Sequence, residues 1–123
     1  MTEPLALVVY EKLLPGSQLT NRLQDMGYRV QTLSDPARLA EAATQMRPLV
    51  VLVDLEWSQT DVMPAIGNLR QNPATAHIPV IAFSGPGNQE QQKAAAAGVT
   101  LLASESAVLS QLPTLLQQAL QVE

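Results

Sequence analysis

The sequence predicts an α/β fold in which five parallel strands form one sheet with helices on both faces. Two observations lead to this prediction. Short apolar runs alternate with segments of helical periodicity along the whole chain, and parallel strands need helices as crossovers. The 123 residues suit a single domain over 1–123, and a hydrophobic content of 46% is enough to build its core.

The predicted strands are short runs rich in apolar or β-branched residues. Most are continuously apolar, as is typical of strands covered on both faces. The second alternates between apolar and polar residues, which predicts a half-exposed strand. The third is the most apolar run and predicts a central strand that ends at Asp54. In chain order the predicted strands cover residues 5–9, 28–33, 49–53, 78–83 and 99–103.

Helices are predicted between these strands from apolar residues at helical spacing and from breaking residues at the ends. Pro15 and Gly16 open the first helix and Gly27 closes it, while Pro48 stops the second. An Ala-rich segment over 88–98 predicts the helix before the fifth strand, and a single helix is expected after that strand. The expected buried faces are Leu19, Leu23 and Met26; Leu39, Ala42, Ala43 and Met46; Val62, Ile66 and Leu69; and Val108, Leu112, Leu115, Leu116 and Ala119.

The composition excludes several classes of protein. The chain has no cysteine, which rules out disulfides, thiol catalysis and thiolate metal sites. A formal net charge of -4 without a basic stripe argues against nucleic-acid binding. No apolar stretch approaches the ~20 residues of a membrane span, and the N-terminus lacks a signal-peptide pattern. We therefore expect no membrane association and a cytoplasmic location.

Chemistry is expected at the carboxyl ends of the strands, where doubly wound sheets bind their ligands. Glu11 follows the first strand, Asp54 the third and Ser84 the fourth. Two carboxylates at one edge can hold a hard cation such as Mg²⁺, and a carboxylate can attack a phosphoryl group to form an acyl phosphate. Ser84 can hydrogen-bond a phosphoryl oxygen. Each residue also has a structural interpretation: a polar strand end for Asp54, a solvated acid for Glu11 and a turn residue for Ser84.

This arrangement resembles the bacterial response-regulator receiver domains. In that family an acid pair follows the first strand, the phosphate-accepting Asp ends the third, a Ser or Thr ends the fourth and a Lys ends the fifth. Glu11 matches the second acid, Asp54 the acceptor and Ser84 the hydroxyl. The segments 27–28, 74–81 and 97–99 are also similar to the family. The resemblance implies a flavodoxin-like (βα)5 fold with a doubly wound five-stranded parallel sheet of strand order 2-1-3-4-5.

The sequence also departs from the family at the expected site. Tyr10 stands where the first acid of the pair belongs, and Glu105 is the residue nearest the position of the Lys. Leu102 replaces the aromatic residue that commonly changes rotamer on activation. Glu56, two residues after Asp54, is a candidate that restores a carboxylate near the metal.

The resemblance implies a stand-alone signalling module of a two-component or phosphorelay system, with protein partners such as a histidine kinase and without enzyme activity. Two modes stay open. In one, Asp54 accepts a phosphoryl group, with Mg²⁺ held by Glu11, Asp54 and Glu56. In the other, the chain is a pseudo-receiver that binds partners without phosphorylation. In the family the recognition face corresponds to segments 89–97, 101–105 and 109–118 of this chain.

Two other functions fit the residues less well. A flavodoxin-like cofactor protein needs a Ser-, Thr- and Gly-rich loop after the first strand and aromatic residues that sandwich the ring. Here that loop, residues 11–14, is Glu-Lys-Leu-Leu and the aromatic content is 3%, so we expect no organic cofactor. A hydrolase of the Gly-x-Ser-x-Gly type is weaker still, because the motif is absent.

Overall fold

The computed structural model describes residues 4–10, 13–55, 63–84 and 99–121. The strands are β1 (Leu5–Val9), β2 (Arg29–Leu33), β3 (Val50–Asp54), β4 (Val80–Ser84) and β5 (Leu101–Ser104). The helices are α1 (Leu13–Asp25), α2 (Leu39–Met46), α3 (Met63–Gln71), α4 (Glu105–Ser110) and α5 (Leu112–Gln121), with a 3₁₀ turn at Pro36–Arg38 before α2. The helix predicted over 88–98 lies outside the described residues.

The five strands form one parallel sheet in the order β2-β1-β3-β4-β5. This confirms the predicted fold class and strand order. All five residues of β3 are buried at the centre of the sheet, whereas β2 is a largely exposed edge strand. Because the strands are parallel, their carboxyl ends lie along one edge, called the carboxyl edge below, and their starts along the amino edge.

The core consists of one apolar cluster on each face of the sheet. Alternate residues of β1 point to opposite faces, as the pleat requires. Leu7 and Val9 join α2 and α3 in one cluster, while Ala6 and Val8 join α1, α4 and α5 in the other. We call these the α2 face and the α1 face.

Hydrogen bonds from Arg70 hold the amino edge near β4 and β5. One guanidinium nitrogen donates to the carbonyl oxygens of Ala76 at 2.7 Å and Ile78 at 2.9 Å. The other donates to the Thr100 hydroxyl oxygen at 3.0 Å. That same oxygen accepts a bond from the Val80 amide at 3.0 Å. Arg70 therefore ties the loop before β4 to the residue before β5.

Thr75 caps the end of α3 from inside the same loop. In a continuing helix the Leu69 carbonyl would accept a bond from the amide four residues later, which belongs to Pro73 and has no hydrogen. The fully buried Thr75 hydroxyl donates to this carbonyl at 2.7 Å instead. Pro73 thus leaves the Leu69 carbonyl at the end of α3 without a backbone donor, and the loop supplies a donor through Thr75.

The last predicted helix is two helices in the structure. The prediction of one continuous helix was wrong, because α4 ends at Ser110 and α5 begins at Leu112. The cause is Pro113, whose ring would clash with the Leu109 carbonyl in a continuous helix. As the second residue of α5, Pro113 sits in a first turn, where a missing amide hydrogen is tolerated. The expected core residues Val108, Leu112, Leu116 and Ala119 are all buried, and Leu115 is partly buried.

Other predicted boundaries and core positions differ from the structure. Helix α1 begins at Leu13, so Pro15 and Gly16 lie in its first turn and do not precede it. Met26 and Met46 were expected in the core but are 38% and 40% exposed. Both come at the end of their helices, beyond the last residues that reach the core.

The strands after β1 begin one or two residues later than predicted. Among the described helices, none has the length and apolarity that crossing a membrane requires.

Candidate functional site

Asp54 is the last residue of β3 and lies at the carboxyl edge. Its side chain is only 3% exposed, and Asp54 and Thr75 are the buried polar side chains in the described part of the chain. The next residue, Leu55, donates its amide hydrogen to the Phe83 carbonyl at 2.9 Å, so pairing with β4 continues past Asp54. A buried carboxylate is costly unless it has polar partners, and Asp54 has an interaction of its own.

The strand register places Asp54 in a row of four residues across the sheet. Asp54 pairs with Phe83, and Phe83 pairs with Ala103. On the other side Val9 pairs with Val53, so Tyr10 falls opposite Asp54 one residue later. We call Tyr10, Asp54, Phe83 and Ala103 the Asp54 row.

All members of this row belong to the α1 face. Phe83 is part of the apolar cluster there, and Tyr10 and Ala103 pack against it. Asp54 follows Val50 and Leu52 of the same cluster by the two-residue alternation of a strand. The carboxylate of Asp54 thus has an aromatic residue on each neighbouring strand.

Only part of the predicted site falls within the described residues. Glu11 and Glu56, the other candidate Mg²⁺ ligands, lie outside them. Ser84 is the last residue of β4 and pairs in register with Ser104, one row beyond Asp54. Asp54 and Ser84 therefore end adjacent strands at the same edge of the sheet.

Glu105, expected at the position of the family's Lys, is the first residue of α4. The residue before it, Ser104, caps this helix, because its side-chain oxygen accepts a hydrogen bond from the Ala107 amide at 3.1 Å. The helix therefore starts directly from the last residue of β5. This cap was not predicted, although a Ser before an apolar helical segment is the expected signal.

Among the described residues, burial shifts the pKa of two side chains at the amino edge. Burial raises the pKa of the Tyr28 hydroxyl and lowers the pKa of the Arg70 guanidinium. Tyr28 precedes β2 and Arg70 binds the loop before β4, so both side chains lie at the amino edge of the sheet. Within the described ranges, no group of three His, Cys, Asp or Glu side chains is placed to hold a metal ion.

A sheet of this order with an Asp at the end of its central strand is the architecture of response-regulator receiver domains, and solved structures of that class match the chain closely in fold. The receiver domain of a sensor histidine kinase from Pseudomonas aeruginosa matches with a TM-score of 0.87 and 20% identity, over 98% of this chain and 100% of that one. That domain has a magnesium ion coordinated in its active-site cleft.

Two further solved structures show the same likeness. Chemotaxis protein CheY4 of Vibrio cholerae matches with a TM-score of 0.83 and 20% identity, over 96% of this chain and 99% of that one. The response-regulator domain of CheB from Thermotoga maritima matches with a TM-score of 0.80 and 18% identity, over 99% of each chain. No protein-family model and no curated protein matches the sequence. The chain therefore has the receiver-domain fold.

Proposed function

We propose that this chain is a receiver-like signalling module of a two-component or phosphorelay system, which acts by binding partner proteins and not as an enzyme. One observation carries the proposal: Asp54 ends the buried central strand at the carboxyl edge of a sheet with the receiver strand order. The full-length likeness in fold to the receiver domain of a histidine kinase and to CheY4 supports it. A cytoplasmic location fits this role.

In the phosphorylation mode, Asp54 is the phosphate acceptor. The bond between phosphorus and a histidine nitrogen of the kinase breaks, and a bond from phosphorus to the Asp54 carboxylate oxygen forms. Mg²⁺ held by Glu11, Asp54 and Glu56 would neutralise charge on the phosphoryl oxygens, and Ser84 would donate a hydrogen bond to one of them.

Three features favour the mode without phosphorylation. Asp54 is 3% exposed, Tyr10 stands opposite it in the row where the family has an acid, and Glu105, expected at the position of the family's Lys, directly follows β5. A carboxylate near a phosphoryl group repels it, whereas the Lys would attract it. We therefore propose that partner recognition by this chain does not depend on modification of Asp54.

The first experiment asks whether Asp54 is modified. The purified chain and its Asp54→Asn variant are incubated with Mg²⁺ and acetyl phosphate, and intact mass is measured. We expect no phosphoryl adduct on either protein. An adduct on the wild type that Asp54→Asn abolishes would establish the phosphorylation mode and contradict the second one.

The second experiment tests the signalling role itself. The chain is immobilised and titrated with purified phosphotransfer domains of histidine kinases and with receiver-binding proteins from the same organism. We expect saturable binding of at least one of them, with equal affinity for the wild type and Asp54→Asn. Absence of binding across the whole set would contradict a signalling role.

A further inference from the structure

We infer that Tyr10, at the position of the first acid of the receiver pair, keeps divalent cations away from Asp54. The inference deepens the proposed function and rests on it, because it explains how a receiver fold comes to act without phosphorylation. It concerns a single residue, and a single substitution at that residue reverses the expected property.

The backbone holds Tyr10 firmly in the row beside Asp54. Its amide donates to the Leu33 carbonyl at 3.1 Å, which continues the pairing of β1 with β2 past Val9. The half-buried ring packs against the apolar cluster of the α1 face. Tyr10 is therefore part of the packed structure, with both its backbone and its ring anchored.

Phe83 closes the other side of the same carboxylate. It is fully buried and pairs in register with Asp54. The bond from the Leu55 amide to the Phe83 carbonyl keeps β3 and β4 together at this point. In the row, Asp54 thus lies between two aromatic residues on the α1 face, and it is 3% exposed.

The Asp54 row by itself does not fit Mg²⁺. The ion demands near-octahedral oxygen coordination, prefers carboxylates and keeps several of its waters, so it needs both negative ligands and open space. The Asp54 row supplies one carboxylate, and the neighbouring position holds the phenol of Tyr10, which is a poorer ligand for a hard cation than the carboxylate oxygens that Mg²⁺ prefers. In the described residues no buried side-chain polar atom lacks a hydrogen-bond partner.

The test is a Mg²⁺ titration followed by amide NMR spectra, with Leu55 and Phe83 as reporters beside Asp54. The wild type is expected to show no saturable shift. Tyr10→Asp restores a second carboxylate in the row and should bind Mg²⁺ at least about tenfold more tightly than the wild type, since affinity follows the charge of the ligands. Replacing Mg²⁺ by Mn²⁺ should broaden the same amides in the variant alone.

Tyr28→Asp is the matched control. Tyr28 also packs against the α1-face cluster, but it lies at the amino edge. The substitution changes the net charge by the same amount as Tyr10→Asp, so a general electrostatic attraction of Mg²⁺ would appear in both variants. Binding by Tyr10→Asp alone supports the inference, and equal binding by the two variants overturns it.

A third variant covers the case in which Tyr10→Asp does not fold. Tyr10→Ser removes the ring without adding charge, and its Mg²⁺ affinity should also exceed that of the wild type. Saturable Mg²⁺ binding by the wild type, or no gain in any folded Tyr10 variant, overturns the inference. Neither result bears on kinase binding by the wild type, so the signalling role stands or fails on that separate measurement.

Discussion

The polar residues at the two edges of the sheet have different roles. At the amino edge, Arg70, Thr75 and Thr100 form hydrogen bonds that hold loops and strand starts in place. At the carboxyl edge, the buried Asp54 lies in one row with Tyr10 and Phe83. The hydrogen bonds at the amino edge hold the strand starts in place without any contribution from the residues of the Asp54 row. Variants at the two edges test this division.

The largest effect is expected at Arg70. Arg70→Ala removes three hydrogen bonds that join two backbone carbonyls and the Thr100 hydroxyl. We expect the free energy of unfolding to fall by about 2–3 kcal/mol, because bonds from a charged donor are strong and those to Ile78 and Thr100 are partly buried. Urea unfolding at neutral pH measures it. Arg22→Ala, on the exposed side of α1, is the control and should change stability by less than about 0.5 kcal/mol. If both variants lost similar amounts of stability, the hydrogen bonds of Arg70 would not be the cause of its effect.

A somewhat smaller effect is expected at Thr75. Thr75→Val keeps the shape of the side chain but leaves the Leu69 carbonyl without a donor, since Pro73 cannot supply one. The unsatisfied buried carbonyl should lower the free energy of unfolding by about 1–2 kcal/mol. Thr44→Val is a close control, because the Thr44 hydroxyl makes an equally short bond of 2.7 Å to Ala40 but is exposed to water. A loss at Thr44 as large as that at Thr75 would show that burial is not what matters.

The polar contacts of the structure could be predicted from the sequence less well than the fold. The five strands and the place of Asp54 at a strand end follow from apolar runs that stop at a charged residue, and the structure confirms the fold. The neighbours of Asp54 do not follow in the same way. Phe83 faces Asp54 because of the register between β3 and β4, which depends on how the intervening crossover packs.

Other differences had visible causes in the sequence. Pro113 breaks the last helix, and its ring would clash with a carbonyl in any continuous helix. Met26 has the spacing of a core residue, but periodicity does not show where the sheet beneath a helix ends. The sequence patterns therefore predicted the strands and helices well, whereas the neighbours of Asp54 in its row could be identified only from the structure.

At the carboxyl edge, Ser104 tests whether the start of α4 depends on its cap. Ser104→Ala removes the acceptor of the Ala107 amide, and we expect a loss of about 1 kcal/mol in the free energy of unfolding, as for other N-cap residues. Ser110→Ala serves as the control, because that exposed hydroxyl only donates back to the Ser106 carbonyl within the helix. Thermal unfolding of both variants measures the difference, and an equal change would mean that the cap contributes nothing.

The smallest effect is expected where two helices end at the amino edge. Gly27 after α1 has a φ of 91°, which a glycine adopts freely, but Arg47 after α2 has a φ of 51° with a side chain in place. The left-handed region costs a non-glycine residue about 1 kcal/mol.

Arg47→Gly should therefore raise the free energy of unfolding by less than about 1 kcal/mol, since the greater entropy of glycine in the unfolded chain offsets part of the gain. Gly27→Ala should lower the free energy of unfolding. No atom lies within 4 Å of the added methyl group, so the loss would report backbone strain and not a steric clash. Urea unfolding of the two variants should thus give opposite signs. A loss of stability in Arg47→Gly would mean that the Arg47 side chain contributes more to the amino edge than its backbone strain costs.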